Sequence, residues 1–467
     1  MFQHFKKKFI GDKNFYHRLL ILVFPIIIQQ GIANFVNLID NVMVGQLGTE
    51  SMSGVAIVNQ LLFVYSLAVF GGVSGASIYG AQFYGKGDHE GVRFTFRFKM
   101  LFTFAATVIA IFILKTWDTN LISLFLTETE SGGNLSYTLS EAEHYLAVML
   151  IGLIPFGISQ TYASTLRETG ETFSPMIASC IAILMNLFLN YCLIFGNFGA
   201  PKLGVTGAAI GTVISRYTEA IFLMIRTERN KHRFIFIDGV YQSFFIPKII
   251  VKQIFVTGTP LILNEILWSL GTTMINQSYS TKGLIVVAAT NITSTVWNLF
   301  CVIMTAMGSA VSIIVGQLLG AGKIDEAKDT DTKLIFFTVI LHMLIGLAII
   351  LSAPYIPMIY HAEEAVSELT TRLLVVAGAA LPLHAFVHVT YFTLRSGGKT
   401  MITFLFDCVY TWVISFPLAF TLCRWSGFSI VAIYFCVQFA DGLKVLIGLK
   451  LLHSGVWAKR IITDEVS

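Results

Sequence analysis

The 467-residue sequence is 55% hydrophobic and 12% charged, with a mean hydropathy of +0.74, which excludes a soluble globular protein and leaves a multispanning membrane protein. Its formal net charge of +4 is accounted for by loop bases facing lipid head groups, so no nucleic-acid partner is expected. The six cysteines (Cys180, Cys192, Cys301, Cys408, Cys423, Cys436) are scattered through apolar stretches without a Cys-x-x-Cys, and read as small buried hydrophobes rather than disulfides or a metal site.

Apolar runs of about 20 residues or more lie near 18–45, 53–80, 94–115, 143–165, 172–195 and 205–226. Lys6, Lys7, Lys8 and Lys13 precede the first run, but it is long enough to span a membrane and should be retained rather than cleaved as a signal peptide. Six more runs follow near 253–277, 284–316, 333–353, 371–394, 400–422 and 427–452. The expected fold is an all-α membrane protein of twelve transmembrane helices. Its parts are a cytoplasmic N-terminus (1–17), an N-lobe of six helices (18–226), a basic cytoplasmic connector (227–252), a C-lobe of six helices (253–452) and a cytoplasmic tail (453–467).

Loop charge orients the chain, because lysine and arginine are retained on the cytoplasmic side. Lys86, Arg93, Arg97 and Lys99 follow the second run, Arg226, Arg229, Lys231 and Arg233 the sixth, and Lys323, Lys328 and Lys333 the eighth. Opposite loops are acidic, with Asp118, Glu128, Glu130, Glu141 and Glu143 after the third run and Glu363, Glu364 and Glu368 after the ninth. Both termini are therefore expected in the cytoplasm.

The stretch from Pro25 to Gly87 recurs without a gap 235 residues later, from Pro260 to Gly322, pairing Asn41 with Asn276 and Gln82 with Gln317. A polar stripe, Gln30, Asn34, Asn37 and Asn41, follows one helix face, and Glu265, Ser269, Thr272 and Asn276 occupy the matching places. Polar side chains in apolar spans should face a partner helix or a watery cavity. Asp40 adds a carboxylate to the first stripe only, its counterpart being Ile275. Leu166, Arg167, Gly170 and Thr172 recur as Leu394, Arg395, Gly398 and Thr400. With six spans each, the halves are parallel repeats around a central cavity, and an acid on one of them suits a coupled transporter.

These features together resemble the multidrug and toxic compound extrusion (MATE) transporters, closest to bacterial members. The resemblance is carried by Asp40-x-x-x-x-Gly45, the Gln-x-x-Gly-x-Gly ends of the second and eighth spans, the two Leu-Arg-x-x-Gly signals, Asn264-Glu265-x-x-Trp268 and Gly204-x-x-Gly207-Ala208-Ala209. It implies export of small organic cations, often aromatic, in exchange for Na⁺ or H⁺, from the bacterial inner membrane. No cofactor is implied, and a monomer in membrane lipid is expected.

The resemblance also implies an ion site in the first lobe, which maps onto Asp40, Asn186, Asn190 and Thr212, with Ala208 one turn before the threonine. The second asparagine is often an aspartate in relatives, so the coupling ion stays open here. Asn186 and Asn190, four apart, bring two amides to one spot. With Asp40 and Thr212 they offer hard oxygen ligands for Na⁺, while a desolvated carboxyl can instead carry a proton. Glu265 is a second candidate acid, for cation attraction or proton exchange, or tied to Asn264 or Asn291. Asp407 is a further one, functional or else tethered to a base such as Arg395.

Two other charged sets read as structural. Arg216 with Glu219, and Asp441 with Lys444, are i, i+3 pairs that would neutralise themselves. His384 and His388 are at i, i+4 but lack further ligands to complete a metal site. There is no phosphate loop, His-Glu-x-x-His or nucleophile elbow, so no enzyme is expected. The competing reading is a flippase for a lipid-linked saccharide, which would want a basic cavity for its diphosphate.

Overall fold

The computed structural model describes residues 7–126, 135–360 and 362–462, and among these there is no strand. Lys6, Glu128 and Glu130 lie outside the described residues. The long helices are α1 (Lys13–Gly45), α2 (Thr49–Lys86), α3 (His89–Thr116), α4 (Leu135–Ile151), α5 (Leu153–Glu168), α6 (Phe173–Phe195), α7 (Gly204–Arg229), α8 (Lys248–Ser280), α9 (Leu284–Gly320), α10 (Ile324–Ser352), α11 (Glu364–Ser396), α12 (Thr400–Trp425) and α13 (Ile430–Ser454). Among the described residues, eleven helices are each long and apolar enough to cross a membrane, and α4 with α5, bent by 45°, makes a twelfth span. The chain is a multi-pass membrane protein of the expected all-α class.

The break between α4 and α5 has a local cause. Pro155 has no N–H to offer the carbonyl of Ile151, one turn back. Gly152 closes a tighter turn, its N–H bonding Met149 O at 3.0 Å, and Arg216 of α7 donates to the Gly152 carbonyl at 3.3 Å. Arg216 thus ties α7 to the bend.

The glycine motifs are explained by how the helices end. Gly87 and Gly322, which end the turns after α2 and α9, have φ of +79° and +74°, the left-handed conformation that glycine adopts without penalty. Two residues earlier, Gly85 lies against the backbone of Gln317, and Gly320 against that of Gln82, so close that a Cβ on either would overlap a carbonyl. The two Gln-x-x-Gly-x-Gly signals therefore pack on each other reciprocally. The Leu-Arg-x-x-Gly signals close α5 and α11 with one cap: Glu171 N bonds Leu166 O at 2.9 Å and Lys399 N bonds Leu394 O at 3.1 Å.

The chain divides into two compact units. The C-terminal unit comprises Met1–Phe24, Ala81–Gly87 and Thr259–Ser467, and the N-terminal unit Pro25–Gly80 with Asp88–Gly258. Borders fall inside α1 next to Pro25, inside α2, between α2 and α3, and inside α8 close to Pro260. Within the N-terminal unit, the connector docks on α3: Arg97 donates to the carbonyls of Gly239, Val240 and Phe245 at 2.9–3.2 Å. Within the C-terminal unit, the described part of the tail is packed, with Trp457 and Ile462 buried and Ile461 N bonded to Gln82 at 2.9 Å.

Several loop assignments are corrected by helix length, since Arg93, Arg97, Arg226, Arg229, Lys328, Lys333, Glu364 and Glu368 all lie inside helices. α3 begins at His89, so Lys99 lies about three turns inside it. It is not a loop base; it is fully buried and ion-paired with Glu168. Likewise α4 begins at Leu135, which places Glu141 and Glu143 in a helix.

Candidate ion and cargo site in the N-terminal unit

The N-terminal unit contains a cavity of about 720 Å³. Gln29, Ala33, Val36, Asp40 and Val44 line it from α1, at the three- and four-residue steps of one helix face. Gln30, Asn37 and Asn41 of the predicted stripe also line it, but Asn34 is exposed and does not. The cavity face is therefore rotated by about one residue from the stripe, which centres Asp40.

Asp40, Asn186, Asn190, Thr212 and Ala208 all line this cavity. Asn190 donates its amide to Asp40 Oδ1 at 3.0 Å. With its amide oriented to satisfy both neighbours, Asn186 donates to Asp40 Oδ2 at 2.7 Å and accepts from Thr212 Oγ1 at 3.2 Å. The two asparagines, one turn apart on α6, thus hold both carboxylate oxygens. Glycines bring α6 and α7 together: Gly207 meets the backbone of Leu193, and Gly211 meets Asn190 Oδ1, leaving no room for a side chain. This is the small-residue packing that membrane helices use to approach closely.

A second polar layer lies further along the same helices. Gln29 donates to Ser179 at 2.6 Å, and Ser179 to Glu219 at 2.5 Å. Arg216 and Glu219, expected to neutralise each other, take different partners. Glu219 binds Ser179, while Arg216 bonds the Gly152 carbonyl and lies 5.3 Å over the Phe156 ring. The Gly152 carbonyl at the bend, which also accepts from Phe156 N at 3.4 Å, takes Arg216 in place of the neighbour on its own helix. Arg167 also lines the cavity. This layer was not foreseen as part of the site; the signal that could have found it is the i, i+4, i+7 spacing of Thr212, Arg216 and Glu219.

Glu265, Ser269 and Asn276 belong to the C-terminal unit, where Asn276 is exposed and Ser269 half-buried. Glu265 makes no hydrogen bond among the described residues, so neither Asn264 nor Asn291 ties it; the charges facing it are Arg395 and Asp407. Asp407, in a π-helical turn of α12 (Leu405–Val409), binds Asn264 at 3.2 Å and Lys444 at 3.3 Å, not Arg395. Lys444 also lies 3.7 Å from Asp441, as its spacing predicted. His384 contacts Asp441 and Gln438, at 3.3 and 2.8 Å, while His388 packs against the Phe392 ring at a tilt of 57°. Among the described residues no three His, Cys, Asp or Glu side chains cluster as metal ligands.

The repeat makes the two units comparable position by position. Gln29, Ser179 and Glu219 match Asn264, Asp407 and Asp441, and the Gln29–Ser179 contact recurs as Asn264–Asp407. The Asp40 layer does not recur. Asp40, Asn190, Thr212 and Ala208 match Ile275, Leu418, Tyr434 and Ile430, which pack in one apolar cluster.

The sequence matches the MatE family model over residues 25–192 and 260–421, the two repeats. It is similar to the probable multidrug resistance protein NorM of Thermotoga maritima, 24% identical over 456 residues, covering 96% of this chain and 94% of that protein. The probable multidrug resistance protein YoeA of Bacillus subtilis is 23% identical over 446 residues, covering 95% and 94%. Among solved structures, an outward-facing multidrug resistance MATE family transporter of the MOP superfamily superposes with a TM-score of 0.82 at 19% identity, covering 95% of this chain and 96% of that one. A MOP superfamily transporter from Pyrococcus furiosus, described as having a binding pocket of reversed polarity that suggests a different function, gives 0.81 at 19%, covering 94% and 95%. At such identities the structural likeness speaks to the fold alone, but the family model covers most of the chain. This chain therefore belongs to the MatE family of multidrug and toxic compound extrusion transporters.

Proposed function

We propose that this protein is a secondary antiporter of the bacterial cytoplasmic membrane that exports small organic cations in exchange for a proton or Na⁺ loaded at Asp40. It acts as a monomer without a cofactor, with both termini in the cytoplasm and no enzymatic step. The observation that carries this reading is the Asp40 carboxylate, held by two asparagines in the wall of a cavity large enough for an organic molecule, where the matching layer of the other unit is apolar. A cation in a low-dielectric cavity needs a counter-charge. An organic cation and a coupling ion therefore compete for Asp40, and that competition couples them across alternating access.

The donor set serves either ion. Both Asp40 oxygens accept amide N–H groups, so Na⁺ requires Asn186 and Asn190 each to turn a carbonyl towards it, and a protonated Asp40 requires one of them to do so. The flippase alternative is less well served, because Asp40 and Glu219 offset Arg167 and Arg216 in the cavity, which is therefore not the basic pocket a diphosphate needs.

The test is uptake of a fluorescent organic cation into inside-out vesicles under separate pH and Na⁺ gradients, with Asp40→Asn as control. Uptake driven by pH alone supports the proton, and uptake driven by Na⁺ alone transfers the role to the oxygen cage of Asp40, Asn186, Asn190 and Thr212. Uptake under neither gradient overturns the antiport reading.

A further inference from the structure

We infer that the cavity of the N-terminal unit has an anion-accepting pole at Arg167 that selects organic zwitterions, cations also bearing a carboxylate, over simple cations. This rests on the efflux reading of the same cavity and adds a specificity-determining residue to it.

The cavity is lined by four charged residues, Asp40, Arg167, Arg216 and Glu219. They are separated along the helices. On α7, Glu219 is seven residues beyond Thr212, about 10 Å along the axis. On α6, Ser179, which binds Glu219, is eleven residues before Asn190, about 16 Å away. One end is therefore acidic at Asp40, and the other holds two guanidinium groups against one carboxylate.

The groups at that far end differ in how fully they are committed. Glu219 is bound by Ser179, and Arg216 by the Gly152 carbonyl and the Phe156 ring. Glu168, next in the chain, is paired with Lys99. Arg167 makes no hydrogen bond among the described residues, and its Nε is buried without a partner. A guanidinium presents five donors in a planar fork that matches a carboxylate, so a half-buried one with none engaged has room for an acceptor.

The repeat shows which acceptor is missing. Arg167 matches Arg395, which faces the carboxylate of Glu265 and bonds Tyr391. The residue matching Glu265 in the N-terminal unit is Gln30, which is neutral. Arg167 keeps the arginine without an acid at that position, and the two carboxylates that face it, Glu219 and Glu168, are bound by Ser179 and Lys99. A carboxylate on the cargo supplies that acid, while the cargo's ammonium or iminium group meets Asp40.

Rhodamine B, a zwitterion, and its ethyl ester, a monocation, differ only at that carboxylate. Binding of each dye to the purified full-length protein is measured by fluorescence anisotropy, and uptake of each in inside-out vesicles. Wild type should bind rhodamine B roughly tenfold more tightly than the ester. Arg167→Gln should erase the preference by weakening rhodamine B alone, and Arg167→Lys, which keeps the charge but not the fork, should retain part of it. Asp40→Asn should weaken both dyes. Equal binding of the two dyes by wild type, or equal weakening of both in Arg167→Gln, overturns the inference. If Arg167→Gln yields no folded protein, Arg167→Lys decides, a loss confined to rhodamine B supporting the inference and an equal loss overturning it. Wild type that binds neither dye overturns the efflux reading itself, and the inference with it.

Discussion

Asn190 donates its side-chain amide to Asp40 at 3.0 Å, across 150 residues of sequence. The bond joins α6 to α1 near the C-terminal ends of both apolar helices, where an unpaired carboxylate would be costly. It also fixes which face of α1 the cavity uses, since the residues lining it step through Asp40 rather than along the stripe of Gln30, Asn34, Asn37 and Asn41.

Asp40→Asn should remove gradient-driven export of an organic cation while leaving the protein folded, since the asparagine keeps the shape and hydrogen-bonding reach. Asn190→Asp should add a second carboxylate to the layer and make transport respond to Na⁺, because two acids and the oxygens of Asn186 and Thr212 suit a hard cation. Vesicle uptake under separate ion gradients reads both outcomes. Unchanged export by Asp40→Asn would remove Asp40 from the coupling role.

Gly85→Ala and Gly320→Ala should each destabilise the protein by about 1–3 kcal/mol or more, because the new methyl group meets a backbone carbonyl that cannot move aside. Gly31→Ala is the control, since a Cβ there has nothing within 4 Å. Thermal melting in detergent should separate the first two from the third. Similar melting of all three would show that the reciprocal glycine contact yields.

Lys99 and Glu168 form an ion pair with side chains 0% and 5% exposed. Lys99→Met alone should cost about 3–5 kcal/mol, because it leaves Glu168 buried and uncompensated. The double change Lys99→Met with Glu168→Gln should recover most of that loss. Melting curves of the single and double variants form a cycle, and additive losses would mean that the two side chains are not coupled.

Asp118 lies outside the membrane spans, at the start of the short helix Asp118–Ser123. The backbone N–H of Thr119, at 2.8 Å, is the main cause holding its carboxyl below the usual aspartate range, with Lys115 at 3.2 Å adding to it. A depressed folded-state pKa means that the stabilisation is present above the unfolded value of about 3.9 and is lost as pH falls through the depressed value. Hydrogen exchange of residues 119–123 should therefore be faster in Asp118→Asn than in wild type at pH 7, with the difference vanishing in strong acid. A difference that persists there would locate the stabilisation elsewhere.

Much of the fold was legible because membrane helices announce themselves by length and apolarity, and because the repeat could be read directly from Pro25 and Pro260 to Gly87 and Gly322. The bend at Gly152 was hidden inside one continuous apolar run. Lys99 was misplaced because a base about three turns into a helix looks, in sequence, like one at its end.

By itself the sequence determined the all-helical membrane class, the two repeats and the isolated acid Asp40, since each depends on composition or on spacing along one chain. Only the tertiary structure decided who meets whom. Arg216 bonds the Gly152 carbonyl instead of Glu219, Asp407 binds Lys444 and Asn264 instead of Arg395, and Arg167 lines the cavity without a hydrogen bond among the described residues. Helical periodicity records which side chains share a face, but partners are chosen by how closely the backbones approach, and that is set by glycines such as Gly207 and Gly211 on other helices.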